Sequence, residues 1–357
     1  MLNAIRSAAF QLYKKIELNQ HNLNYVFLEL TRQCNLSCLH CGSDCKSEIN
    51  TPQLTTASWL KIITYISENF SDQLVFVLTG GEPLVYPDVV TVISHIHRQN
   101  RRWGMVTNGV SLNSAILDEL LKYKIYSLTL SLDGTEHAHN YLRNSPTAFD
   151  RVTKALDLVS KAEIPVKDVV TCIYPKNINQ LDDIAEILLE YKIEYWRLFR
   201  IFPLGRAHNN PDLLLSYNQT WEMLQWIAEN RGKYRKKGLK ISTSCEGWFP
   251  YNFDRQVRDQ PFFCRSGINI ASILCDGNIT GCPNNHPSFY QGNILHDNFV
   301  EIWNNKFKTY RDRSWIDHKI CADCPFRLKC QGGSIHLWNL NNDQPYFCYM
   351  RKDLAEN

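Results

Sequence analysis

A chain of 357 residues exceeds one minimal domain and falls short of three, so it should hold one large domain and a smaller appendage. Hydrophobic residues at 44% and charged residues at 21% exclude a disordered tail or a collagen-like fibre. Lys+Arg 39 against Asp+Glu 36 leaves +3 with no basic block, which argues against nucleic acid, and the longest clean apolar run, Leu74 to Leu78, is far short of a membrane span.

In chain order, residues 1–22 form an N-terminal helix that lacks a long apolar core and carries Lys14 and Lys15. That is not a secretory signal, and a cytoplasmic location is expected. Apolar runs at Tyr25–Leu30, Leu74–Thr79, Trp103–Thr107, Tyr126–Leu132, Val166–Ile173 and Tyr195–Ile201 read as buried parallel strands. Helical stretches alternate with them: the stripe Trp59, Ile62, Ile63, Ile66, then Pro87–Arg98, Leu112–Tyr123, Ala148–Lys161, Ile178–Glu190 and Gln219–Asn230. Successive βα units over residues 23–230 predict an α/β fold, a partial (β/α)6 TIM-like barrel, with a doubly wound open sheet as the competitor. Residues 231–262, beginning basic and Gly-containing, are expected to be a linker. Residues 263–357, rich in Cys, Gly, Asn, Pro and aromatics, would form a small cysteine-rich domain held by metal more than by an apolar core.

Thirteen cysteines bunch at 34/38/41/45, 264/275/282 and 321/324/330/348. With no export signal, that grouping points to metal or redox chemistry before disulfides. Cys34, Cys38 and Cys41 directly follow the first strand. Three thiolates on a loop can close around three irons of a 4Fe-4S cube and leave the fourth open. A zinc site would want a fourth ligand, Cys45 or His40. After strand two, Gly80 and Gly81 let backbone approach a ligand closely, and Glu82 offers a carboxylate to a cation. Thr107-Asn108-Gly109, then Ser131-Leu132-Asp133-Gly134 with Arg143, and Pro203–Arg206 also follow predicted strands. Each is an ordinary turn alone, but all share the face where barrel enzymes assemble sites.

The cysteine loop resembles the cluster-binding motif of the radical S-adenosylmethionine (radical SAM) enzymes. The resemblance implies that SAM chelates the open iron of the cluster, with His40 beside the adenine. Gly80, Gly81 and Glu82 would hold the SAM amino group, with Asn108 a further cofactor residue. Ser131 and Asp133 would face the ribose or carboxylate region, and Arg143 the carboxylate. Backbone at Leu198–Ile201 would border the adenine, and Arg206 would close a salt bridge, contact ligand or stay at the surface.

The C-terminal cysteines resemble the SPASM extension, which implies one or two auxiliary 4Fe-4S clusters. Cys321, Cys324, Cys330 and Cys348 can supply one complete set. Where the pattern expects a further cysteine after Cys330, this chain has Ser334. The other site would use Cys264 and Cys282, with Cys275 or Cys245 as substitute, and an incomplete, a rearranged or an absent cluster all remain open. A zinc-ribbon-like cap is the alternative for the region. Cys45 and Cys172 are expected to be bystanders, and the aromatics at Trp248–Tyr251 and Tyr346–Phe347 to pack around the clusters.

Together these resemblances imply a maturase that abstracts a hydrogen atom from a peptide or small protein, with an electron donor such as ferredoxin or flavodoxin. The chain is also similar to radical SAM members paired with small lipoproteins, through Phe199–Ala207 and Cys330–Trp338. Pro283 counts against a sulfatase-maturing enzyme. A small-molecule or tetrapyrrole substrate, and a non-catalytic zinc-stapled binding module, are the alternatives.

Overall fold

Strands whose residues are apolar on both faces must be covered on both faces, and this requirement organises the chain. The computed structural model describes residues 2–46, 48, 52–245, 247–339 and 342–352. After α1 (Leu2–Gln20), strand and helix alternate: β1 (Tyr25–Glu29), α2 (Thr56–Asn69), β2 (Val75–Thr79), α3 (Val89–Arg98), β3 (Arg102–Thr107), α4 (Ser114–Lys122) and β4 (Ser127–Ser131). Then come α5 (Glu136–Arg143), α6 (Ala148–Lys161), β5 (Val166–Ile173), α7 (Leu181–Glu190), β6 (Tyr195–Arg200) and α8 (Tyr217–Lys236). The stripe Trp59, Ile62, Ile63 and Ile66 is the buried face of α2, and Thr55 caps that helix by accepting the Ser58 N–H.

Strands β1 to β6 pair in parallel in sequence order, with Leu28 opposite Leu78 and Leu78 opposite Met105. A doubly wound sheet reverses its order at a switch point, and β1 to β6 contain no reversal. The six units therefore wind one way, as in a partial barrel.

Two features depart from the expectation. Helix α5 escapes the periodicity because its buried face is Ala138, His139, Leu142 and Arg143, half of it ionisable. The stretch expected as a linker is largely ordered secondary structure. Helix α8 continues to Lys236, and its basic end, Lys233, Arg235 and Lys236, complements the helix dipole. Strand β7 (Lys240–Thr243) then pairs with β6, and α9 (Tyr251–Val257) follows.

Strand β8 (Ile270–Ile273) returns to the opposite edge and pairs in parallel with β1, with Leu28 against Ile273. Antiparallel β9 (Asn278–Thr280) and β10 (Gly292–Asn293) complete the ten-stranded order β10-β9-β8-β1-β2-β3-β4-β5-β6-β7. The cysteine-rich region is thus hydrogen-bonded into the barrel sheet. Beyond it lie α10 (Phe299–Asn305), α11 (Lys308–Arg311), α12 (Arg327–Cys330) and the hairpin β11 (Trp338–Asn339) to β12 (Gln344–Pro345). No helix among the described residues is long and apolar enough to cross a membrane.

Glu29 ends β1, 6% exposed, near Arg32 and Cys275. Burial pushes its carboxyl up to about 7, against the pull of Arg32 and a hydrogen bond from Cys275. A folded value above the unfolded one means that this site stabilises the fold below about pH 4.5 and that the contribution is lost as pH rises to about 7. Glu29→Gln should therefore raise the unfolding free energy at about pH 8 by about 3 kcal/mol and leave it unchanged near pH 4. Anaerobic denaturant titration of both proteins at the two pH values checks this.

Candidate active site

The C-terminal ends of the parallel strands open on a cavity of about 280 Å³. Cys34, Cys38, His40 and Cys41 line it from the loop after β1, Gly80 and Gly81 from the loop after β2, and Asn108 from the loop after β3. Ser131 and Arg143 line it from β4 and α5. Nine of the sequence-predicted residues thus meet in one place.

The cluster loop has no regular secondary structure and is held by its neighbours. Gly81 N–H donates to the Thr31 carbonyl at 2.7 Å, and Glu82 N–H to the Gln33 carbonyl at 2.9 Å. A Cβ on Gly80 would collide with the Thr31 oxygen, and one on Gly81 with the Gln33 oxygen. The two glycines therefore serve close approach to the cluster loop itself as well as to the cavity. Leu39 N–H donates to the Leu142 carbonyl at 2.9 Å. On the far side, Arg206 donates from Nε to the Cys38 carbonyl at 2.7 Å and from Nη1 to the Cys45 carbonyl at 2.7 Å and Asp44 at 2.9 Å. Its main-chain N–H reaches the Cys41 carbonyl at 3.0 Å. Arg206 is thus a clamp on the loop. Gly205, at φ +54, permits the approach, since a Cβ there would collide with the Cys41 oxygen.

Glu82 and Asp133 lie behind the cavity wall. Glu82 is fully buried and accepts from Thr107 Oγ1 at 2.6 Å, Asn108 N–H at 2.7 Å and Leu84 N–H at 3.0 Å. Its carboxylate therefore welds the second loop to the third, where the sequence suggested a direct cation contact. Asn108 in turn donates Nδ2 to Asn35 Oδ1 at 2.7 Å. Asp133 is fully buried and accepts Arg143 Nε at 2.6 Å and the Cys172 N–H at 2.9 Å. Burial opposes its ionisation, but Arg143, with His40 and His139 adding, holds the carboxyl below its ordinary value. Asp133 fixes Arg143, whose Nη1 reaches to 3.8 Å from Cys38 Sγ.

Burial pushes the Cys34 thiol up to about 11 and also raises Cys38, so both need a metal or a strong positive charge to become thiolates. Cys41 is held low by hydrogen bonding from the Cys45 thiol, against its burial, with the Cys45 N–H at 3.4 Å adding to the effect. Cys45, expected as a bystander, sits beside a candidate ligand. Cys172 likewise lines the cavity.

Residues 28–188 match the Radical SAM superfamily, and residues 264–325 match SPASM, an iron-sulfur cluster-binding domain. The chain carries a radical SAM domain and a SPASM domain. It is 24% identical over 348 residues to an AdoMet-dependent heme synthase of Methanosarcina barkeri, covering 90% of this chain and 95% of that one. It is 25% identical over 326 residues to the mycofactocin maturase MftC of Mycolicibacterium smegmatis, covering 86% and 76%. The structure of native anSMEcpe with bound AdoMet and Cp18Cys peptide superposes with a TM-score of 0.72 at 16% identity, covering 93% and 94%.

The radical SAM domain makes the protein an enzyme that uses a 4Fe-4S cluster and SAM, and the zinc-stapled binding module gives way. The donors fit these groups. Three thiols face one cavity, and His40 Nδ1 is buried there with no hydrogen-bond partner among the described residues. The SPASM domain binds auxiliary clusters. Cys321, Cys324, Cys330 and Cys348 lie near one another: burial pushes the Cys330 thiol up to about 12, with the charges of the other three adding to the effect.

Sequence reasoning missed Asn284 and His336, which line the cavity from the C-terminal region. It also missed Phe202 beyond the expected stretch, whereas Leu198 within that stretch is fully buried and lines nothing there. The aromatic segments pack on one another and on Arg200: Phe249 and Tyr349 meet edge to face at 4.9 Å, and Arg200 stacks 3.7 Å over the Phe347 ring. Gly81→Ala should stop the second loop from seating against the cluster loop. Iron bound per chain should fall by about four, one cube, with far-UV circular dichroism unchanged. Iron analysis after anaerobic reconstitution checks it.

Proposed function

We propose that the protein is a peptide or protein maturase that takes a hydrogen atom from a residue held beside SAM. The observation that carries this reading is a second cavity of about 310 Å³ that shares Gly42, Leu204, Asn284 and His336 with the first. Its other walls include Arg32, Asp44, Asp276 and His286. Charged groups set among apolar and aromatic side chains such as Leu274, Tyr290 and Trp338 suit a peptide, whose amides and side chains alternate in polarity. The likeness to MftC and to the peptide-bound anSMEcpe supports the same substrate class.

When bound, the cluster supplies the electron that splits SAM into methionine and a 5′-deoxyadenosyl radical. The chain's own task is to position and enclose. Arg143, fixed by Asp133, offers its guanidinium fork to the SAM carboxylate. Gly80, Gly81 and Asn108 face the amino end, and Phe199 to Ile201 border the adenine. Burial, with Arg143 adding, pushes His40 down to about 4, so a neutral imidazole lies beside the adenine at neutral pH. Asn284 and His336 cover the shared wall and keep water from the reacting carbon. The grouped thiols suit a reducing cytoplasm, where ferredoxin or flavodoxin would serve as electron donor.

Sequence likeness to a heme synthase over 95% of that protein favours a second substrate class, a tetrapyrrole. The two are separated by measuring 5′-deoxyadenosine from SAM under anaerobic reduction. A short precursor peptide encoded beside this chain should stimulate it, and stimulation by an iron porphyrin with none by the peptide would overturn the maturase reading. Cys34→Ala, Cys38→Ala and Cys41→Ala should each abolish SAM cleavage. Arg143→Lys keeps the charge and loses the fork, so KM for SAM should rise about tenfold or more with a smaller change in kcat.

A further inference from the structure

We infer that His336 holds one main-chain amide of the substrate peptide at the boundary between the SAM cavity and the second cavity, an assignment that rests on the maturase reading. His336 lines both cavities and is only 9% exposed. Its ring meets Phe202 edge to face with centroids 5.2 Å apart, and neither ring nitrogen has a hydrogen-bond partner among the described residues. A polar side chain at this depth is ordinarily paired, so one that faces a cavity unpaired is open for a ligand to complete. Asn284, the other C-terminal side chain on the shared wall, is already engaged, since its Oδ1 accepts from Ser43 Oγ at 3.4 Å.

The chain around His336 fixes where the ring stands. Ile335 is fully buried and Leu337 nearly so. Ser334 donates Oγ to the Cys245 carbonyl at 2.8 Å, Leu337 N–H donates to the Ser334 carbonyl at 3.1 Å, and Tyr346 N–H donates to the Leu337 carbonyl at 2.8 Å. The imidazole is thus presented by a short turn anchored on both sides.

The chemistry of the ring selects the class of group it can hold. Burial, with the charge of Arg200 adding, pushes the imidazole down to about 4, so it carries no charge at neutral pH. Arg200 is itself fixed, by the Phe347 ring and by donation from Nε to Tyr349 Oη at 3.1 Å. A neutral imidazole offers one N–H and one lone pair on opposite edges. A carboxylate would call for the charged imidazolium, and an ammonium for an anion, whereas a secondary amide, with one N–H and one carbonyl, matches what this ring offers. The place of the ring sets that amide beside the carbon that must face SAM, and leaves wall groups such as Arg32 and Asp276 to flanking side chains.

The test is affinity selection with mass spectrometry on the anaerobically reconstituted full chain with SAM, in wild type, His336→Phe, His336→Leu and His336→Gln. The probes are two pools of acetylated, amidated random pentapeptides, one with all side chains and one without Asn and Gln. Iron content and far-UV circular dichroism show which variants are folded and loaded, and two apolar replacements guard against the loss of either. Wild type should retain peptides from both pools. His336→Phe and His336→Leu should each retain about tenfold less, and His336→Gln, which keeps a donor and an acceptor, should recover most of the loss. Retention by the apolar variants equal to wild type, or to His336→Gln, would overturn the assignment and leave the maturase reading standing. Dependence on His336 confined to the pool with Asn and Gln would move the contact to a side-chain carboxamide and overturn it as well. No peptide retained by wild type would overturn the maturase reading and the assignment together.

Discussion

Three thiols must stand on one rim of the barrel, yet the segment that carries them has almost no hydrogen-bonding pattern of its own. An irregular loop keeps a fixed shape only when its backbone groups find partners elsewhere. Here those partners come from three directions: the second loop through Gly81 and Glu82, α5 through the Leu142 carbonyl, and the segment after β6 through Arg206. The parallel sheet supplies all three at one height, because in-register strands end together. Glycine at 80, 81 and 205 is then a steric requirement, since each position sits against a carbonyl oxygen of the loop.

The buried carboxylates extend the same logic. Glu82 and Asp133 are fully buried, and a charge in that setting persists only when several donors compensate it. Glu82 takes two backbone amides and a hydroxyl, and Asp133 takes a guanidinium and an amide. Neither carboxylate needs to touch the cofactor to matter. Each converts adjacent loops into a rigid frame, and Asp133 also sets the direction of Arg143, a cation of the wall that reaches both a candidate cluster thiol and the cavity.

What was legible in the residues is what local chemistry writes into local sequence. The apolar runs located β1 to β6 within a residue or two, and the motifs after them located the cavity, because motif and strand are contiguous. What was hidden depends on contacts distant in the chain. Helix α5 turns a histidine and an arginine inward, so its buried face carries no apolar period. Asn284 and His336 carry no local signature, and only the return of β8 to β1 brings their region over the site. The bracing bonds of Glu82 and Asp133 were hidden for a related reason: a motif names the residue types at a site but not the main-chain and side-chain groups they will meet.

The pairing of β8 with β1 is the link between the two halves of the molecule. Strand β1 carries the cluster loop at its end and the cysteine-rich region along its edge, with Leu28 opposite both Leu78 and Ile273 in the register of the sheet. A C-terminal region tethered by a flexible linker would cover the cavity only part of the time, and a radical formed there would be exposed to solvent. Building its first strand into the barrel sheet makes the cover a continuation of the wall, so that Asn284 and His336 belong to the site as firmly as the strand ends do.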